Sequence, residues 1–158
     1  MARYCPLFSG SSGNCTYIAS SEGGVLVDAG VSARRIETAL RDRFIDPCFI
    51  RAIFVTHEHS DHVSGLRVLL KKYHYTVYAS AGTLCALVES GVLGEQDRYE
   101  VADDRGVETA GMLVRPFRTS HDSRESMGYR VHMPDQRTIA VAMIQYPEPP
   151  ININKGLP

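Results

Sequence analysis

Three histidines and two carboxylates crowd into one short run, Thr56-His57-Glu58-His59-Ser60-Asp61-His62, directly after the strand-like segment Ile50 to Val55. At this chain's own residue frequencies, a His-x-His-x-Asp-His run arises by chance in roughly five of ten thousand such sequences. Chance is therefore a poor explanation. On an extended segment leaving a strand, residues two apart point the same way, so His57 and His59 can offer imidazoles to one ion. Asp61 and His62 fall on the turn into the following helix and can face a second ion nearby. The zinc-protease pattern His-Glu-x-x-His is absent, because position 61 is Asp. Imidazoles with a carboxylate suit zinc, iron or manganese, and the residues alone do not choose. Glu58 and Ser60 share the loop and are expected to hydrogen-bond to the groups around them.

His121, in Thr119-Ser120-His121-Asp122, stands apart from the cluster; taken singly it reads as a histidine at a strand end. His74 and His132 have no clustered neighbours and are read as ordinary structural residues. The run Ser9-Gly10-Ser11-Ser12-Gly13-Asn14 has two readings. Small residues let backbone N–H groups approach an anion, which makes Ser11, Ser12 and Asn14 candidate substrate contacts. The run lacks the Gly-Lys-Ser/Thr ending of a nucleotide loop, and an inter-strand turn explains its composition equally well. Arg34, Arg35, Arg41, Arg43, Lys71 and Lys72 could line a nucleic-acid track, although charged runs on helices are usually solvated faces.

The elements that must position these groups alternate along the chain. Strands are expected at Arg3 to Phe8, Cys15 to Ala19, Val25 to Val27, Ile50 to Val55, Tyr75 to Tyr78, Leu113 to Thr119, Met127 to Met133 and Thr138 to Ala142. A first helix starts at the N-cap Ser32 and keeps Ile36, Ala39, Leu40 and Phe44 on one face, with Asp46-Pro47 closing it. Further helices are expected over Val63 to Tyr73 and over Gly82 to Ser90, the latter stopped by Gly91. This order argues for a layered α/β architecture. Gln145 to Pro158 has four prolines in fourteen residues and no period of 2 or 3.6, and reads as a tail.

Composition sets the remaining bounds. With 158 residues, 44% hydrophobic, 22% charged and a formal net charge of −1, the chain has the make-up of one globular domain. It has no global attraction to polyanions, so any such binding must be local. No stretch approaches the ~20 apolar residues of a membrane span, and the first residues carry no signal-peptide core. A cytoplasmic location is the expectation, with Cys5, Cys15, Cys48 and Cys85 as reduced thiols.

The loop Thr56 to His62 between strand and helix resembles the metallo-β-lactamase-fold hydrolases. Phe8-Ser9-Gly10-Ser11-Ser12-Gly13-Asn14-Cys15, Leu26-Val27-Asp28-Ala29-Gly30, Ser120-His121-Asp122 and Met127-Gly128-Tyr129 are similar to the WalJ/YycJ-like branch of that family. The likeness covers residues 1–142 and leaves 143–158 as a proline-rich tail unlike the family. It implies the N-terminal half of an αββα sandwich, a mixed sheet with flanking helices. By the same resemblance His57, His59 and His121 would hold a first divalent metal, zinc or manganese, and Asp61 and His62 would contribute to a second. Asp61 would also orient the attacking water and relay a proton. The implied function is metal-dependent phosphodiester hydrolysis of the DNA exonuclease kind, with nucleic acid as the partner. An inactive metal-binding fragment or interaction module, and a thioester, lactone or β-lactam hydrolase of the same fold, stay open as alternatives.

One departure stands out. Family members follow the strand matching Ile139 to Ala142 with Thr-Asp, whose carboxylate bridges the metals; here Met143 and Ile144 occupy those positions. The expectation is therefore a truncated chain that favours one ion over two, has little or no phosphodiesterase turnover by itself, and self-associates, docks on another subunit or aggregates through a sheet face without its partner.

Overall fold

In the apolar stretches that seed the fold, alternate residues serve two different cores. The computed structural model describes residues 2–143; the proline-rich tail expected from Gln145 onward lies outside them. In β3 (Gly24–Val27) and β4 (Ile50–Phe54), Leu26 and Ile53 point one way while Val25, Val27, Ala52 and Phe54 point the other, all at most 1% exposed. A strand with both faces covered is apolar along nearly its whole length, and Arg51, near the start of β4, is the exposed exception.

The first sheet has six strands in sequence order: β1 (Arg3–Phe8), β2 (Cys15–Ala19), β3, β4, β5 (Thr76–Ala79) and β6 (Arg98–Val101). β1 to β3 form an antiparallel meander, and β3 to β6 run parallel. The parallel pairs need crossovers, supplied by α1 (Ala33–Arg41), by the short α2 (Ser60–Val63) with α3 (Leu66–Tyr73), and by α4 (Ala81–Glu89). Ile36 and Leu40 of α1, Leu66, Leu69 and Leu70 of α3, and Leu84 and Leu87 of α4 pack on Leu26, Ile53 and Val77. The second sheet is antiparallel, in the order β10 (Thr138–Val141), β9 (Met127–His132), β8 (Met112–Arg118), β7 (Val107–Thr109). Met112, Val114, Tyr129 and Val131 close it onto Ile18, Val25, Val27 and Phe54. The result is helix, sheet, sheet, and the inner faces of the two sheets cover one another. Any unpartnered sheet face lies on the outer side of the second sheet, where Leu113 and Phe117 are half-buried and Arg115 and Arg130 are exposed.

Several expectations change. Phe44 is not on the buried face of α1: the helix stops at Arg41, and Phe44 turns out at φ 58° with 95% of its surface exposed. The helix expected from Val63 to Tyr73 is interrupted at Gly65, because the backbone of Ala29 to Ser32 passes there. Gly65 N–H donates to Ala29 O at 2.9 Å, and a Cβ on Gly65 would sit 2.3 Å from Val31 O. Two strands were not expected. β6 is exposed throughout and β7 has three residues, so neither has a run of buried apolar residues long enough to mark it. Ser32 does cap α1, accepting from Arg35 N–H at 3.4 Å.

Candidate metal centre

The site forms where β3 and β4 end side by side. Register pairs Val27 with Phe54, so the next residues, Asp28 and then Val55 and Thr56, leave together at the C-terminal ends of these two central strands. Asp28 adopts φ 63°, a left-handed conformation that Asp tolerates better than most residues. That turn aims its buried carboxylate across at Thr56 and His62. Oδ1 accepts from Thr56 N–H at 2.8 Å, and Oδ2 accepts from Thr56 Oγ1–H at 2.8 Å and from His62 Nδ1–H at 2.7 Å.

These bonds fix the tautomers. A carboxylate only accepts, so His62 Nδ1 carries a proton and Nε2 faces the site. Thr56 Oγ1 gives its proton to Asp28 and can accept from His57 Nδ1 at 3.0 Å, which turns His57 Nε2 outward too. One carboxylate thereby orients two imidazoles, one directly and one through a hydroxyl.

The cluster then assembles from three segments. His57 follows β4, His59 caps α2 by position, and His62 lies on α2 with its N–H donating to His59 O at 2.9 Å. His121 arrives on the loop between β8 and β9. Its ring centroid is 4.2 Å from that of His57 and 5.2 Å from that of His59, while His57 and His59 are 4.7 Å apart. One ligand atom each from His57, His59 and His121 lie within 4.8 Å of one another, and so do those of His57, Asp61 and His62. His57 belongs to both groups. Among the described residues, His57 Nε2 and His121 Nδ1 are buried without a hydrogen-bond partner. Unpaired buried nitrogens cost free energy unless something accepts their lone pairs, and a divalent cation does so. The residues present fit such an ion.

Electrostatics agree. Burial, and then the neighbouring His62, His121 and His59, push His57 down to about 3, so it is a neutral ligand at physiological pH. For His62, burial disfavours the charge, but the hydrogen bond and charge of Asp28 with the charge of Asp61 outweigh it and raise the pKa. A cation at Nε2 would take the place of that proton.

Two further clamps hold the site. Asn14 Nδ2 lies 3.3 Å from His62 Nε2 and donates to Asp61 Oδ2 at 3.5 Å, while Asn14 N–H donates to Asp61 O at 2.8 Å. Ser11 and Ser12, grouped with Asn14 on the sequence, are exposed on the same loop and make no hydrogen bond among the described residues. On the other side Glu58 Oε1 accepts from Arg124 N–H at 3.0 Å, and Glu125 accepts from Gly82 N–H at 2.9 Å, fastening the His121 loop at both places. Glu58 thus ties two ligand loops together rather than contacting a histidine. Asp28, Thr56 and Glu125 were assigned no role from the sequence. A carboxylate directly after the buried Val25 to Val27 run was the available sign for Asp28.

The family profile described as the metallo-beta-lactamase superfamily matches residues 9–142. The chain belongs to that superfamily. Among curated relatives, Exodeoxyribonuclease WalJ of Streptococcus pneumoniae is 35% identical over 147 residues, spanning 91% of this chain and 55% of that protein. Exodeoxyribonuclease YycJ of Bacillus anthracis is 37% identical over 134 residues, 82% of this chain and 50% of that one. The chain thus spans about half the length of the curated relatives it matches. Among solved structures, the Cronobacter sakazakii metallo-beta-lactamase with a HARLDQ motif superposes with a TM-score of 0.76 at 20% identity, covering 98% of this chain and 67% of that one. At that identity it establishes the fold. Among the described residues no helix is long and apolar enough to cross a membrane.

Proposed function

We propose that this chain carries the metal-binding half of a divalent-metal-dependent phosphodiesterase acting on DNA, of the exodeoxyribonuclease type. The observation that carries the reading is the pair of unpartnered nitrogens, His57 Nε2 and His121 Nδ1, converging beside His59 in a chain 35% identical to an exodeoxyribonuclease.

His57, His59 and His121 would hold the first ion, zinc or manganese, and Asp61 and His62, with His57 between the two groups, would hold a second more weakly. Bound there, a divalent cation supplies Lewis acidity toward a phosphoryl oxygen and makes a water a better nucleophile at neutral pH. The chain's own residues do the rest. Asp61, partly exposed and steadied by Asn14, accepts the proton of the attacking water as the new P–O bond forms. It passes that proton to the sugar oxygen released when the old P–O bond breaks. Asp28 and Thr56 keep the imidazoles aimed and contribute no atom to the reaction. Four free cysteines, two of them exposed, accord with a cytoplasmic setting.

The test is a cleavage assay on a labelled DNA duplex and single strand with Zn²⁺ or Mn²⁺, alongside a thioester substrate, with metal analysis of the same protein. The reading expects at least one ion per protomer and metal-dependent release of nucleotides that D61A abolishes. Release of thiol with DNA left intact would move the chain to the thioester class. That outcome has a foothold in a Hydroxyacylglutathione hydrolase of Tolumonas auensis, 38% identical over 80 residues.

A further inference from the structure

Among the described residues four arginines are ion-paired and ten are not, and of those ten Arg3, Arg34, Arg35, Arg41 and Arg43 fall on β1, on α1 or just after α1. Arg105, Arg124 and Arg137 are neutralised by Asp103, Glu89 and Asp135 at 2.5–2.6 Å. Arg3, Arg34, Arg35 and Arg41 are exposed and make no ion pair among the described residues; Arg34 and Arg35 lie where α1 runs along β1, whereas Arg41 lines a separate hollow with Asp46 and Tyr73. Lys72, expected on the same track, is instead bound to Glu37 at 2.5 Å.

An open groove of about 370 Å³ runs between the two elements. Leu7 and Phe8 of β1 line one side, Arg34 and Arg35 of α1 the other, and Arg43 closes its far end. Asp42 is the single acidic side chain among its walls. Arg35 Cζ sits 4.8 Å over the Phe8 ring, an arrangement that keeps a guanidinium extended beside an aromatic face. Arg43 also lines a second hollow with Arg3 and Tyr4, which lengthens the basic strip along β1.

The strip leads to the metal centre. Phe8 is followed directly by the loop Ser9 to Asn14, which closes on itself: Gly10 N–H donates to Asn14 Oδ1 at 3.1 Å, and Asn14 Nδ2 donates to Gly10 O at 3.0 Å. Gly13 of that loop packs against the segment entering α1, since a Cβ there would lie 2.3 Å from Val31 Cγ1. The same Asn14 meets Asp61 and His62. Unpaired cations, an aromatic ring and small exposed serines therefore follow one another up to the proposed reaction centre.

We propose that the α1–β1 groove is a docking track for single-stranded DNA, with Arg34 and Arg35 contacting backbone phosphates and Phe8 offering an apolar edge to a base. Charge complementarity commits it to this occupant: the net charge of the whole chain is −1, so a local excess of unpaired arginine is what a polyanion would find. The inference rests on the phosphodiesterase reading for the direction of the strand, which leads toward Asp61.

The experiment measures fluorescence anisotropy of a short labelled single-stranded oligodeoxynucleotide in EDTA, where no cleavage occurs, across a salt series. R34A/R35A is expected to weaken binding about tenfold and to flatten the dependence of log K on log salt by about 1.4, the share of two phosphate contacts. R34K/R35K should restore most of the salt slope, and R105A/R137A, which removes only paired arginines, should change neither quantity. Circular dichroism melts of all variants check that the fold is kept. Wild-type affinity that is undetectable at low salt, or equal in R34A/R35A and wild type, overturns the track. Arginine-dependent binding without metal-dependent cleavage in the separate assay sinks the phosphodiesterase reading and leaves the track standing.

Discussion

Asp28 Oδ2 lies 2.7 Å from His62 Nδ1, and the same carboxylate holds the backbone N–H and the hydroxyl of Thr56. A residue that coordinates nothing therefore sets the aim of His62 and, through Thr56, of His57. Asp28→Ala leaves the buried Thr56 N–H and His62 Nδ1–H without acceptors, at about 1–3 kcal/mol for each group. It should also lower metal affinity about 10–100-fold. Asp28→Asn keeps the turn and one acceptor, so it should recover stability more fully than metal affinity. Urea unfolding and a metal titration on the same protein separate the two effects.

Glu58 acts on His121 at one remove, by accepting from Arg124 N–H. Glu58→Ala should loosen the loop carrying His121 and weaken metal binding about tenfold, with stability changing by less than about 1 kcal/mol. Glu58→Gln keeps an acceptor and should lie near wild type. Hydrogen exchange over residues 119–126 is the direct readout: faster exchange in the alanine variant alone is the expected pattern, and equal exchange in all three would show the clamp to be idle.

Gly30 sits where three segments cross. A Cβ there would lie 1.7 Å from Asp61 O and 2.5 Å from Asn14 N, both backbone atoms that cannot rotate away. Gly30→Ala should cost about 3 kcal/mol or more and displace the Asp61 loop. A melting temperature within a degree or two of wild type would show that the crossing relaxes freely.

Acid stability should depend on Glu37. Burial pushes its carboxyl up, but hydrogen bonds from Lys72 and Tyr73, with the charges of Lys72 and Arg41, more than offset this and lower its pKa below 4.5. A carboxyl depressed by folding stabilises the fold above its unfolded value. That stabilisation is lost as pH falls from about 4.5 through the folded value. Glu37→Gln should therefore be less stable than wild type near neutrality and lose less on acidification below pH 4.5. Parallel stability curves for the two proteins would rule Glu37 out as a source of the acid limb.

The chain order of the fold was largely legible. β4, β8, β9 and the start of α1 show apolar runs, alternation or a cap, all local signals. β6 and β7 were silent because an exposed edge strand and a three-residue strand have no core face to advertise. The break at Gly65 and the eversion of Phe44 were equally invisible, since each depends on which backbone passes nearby and on where a helix can end.

The residues of the metal centre divide in the same way. His57, His59, Asp61 and His62 declare themselves by spacing, because the strand-to-helix turn that presents them is local. His121 lies 59 residues beyond His62, and its approach to within 4.2 Å of the His57 ring is a product of β8 and β9 packing over β4. Asp28 reaches His62 only because parallel pairing puts the ends of β3 and β4 in register. Residue types and short spacings determined which groups could ligate. The tertiary structure decided which of them share a site and which nitrogens are left bare, because those outcomes depend on sheet register and layer packing between residues far apart in the chain.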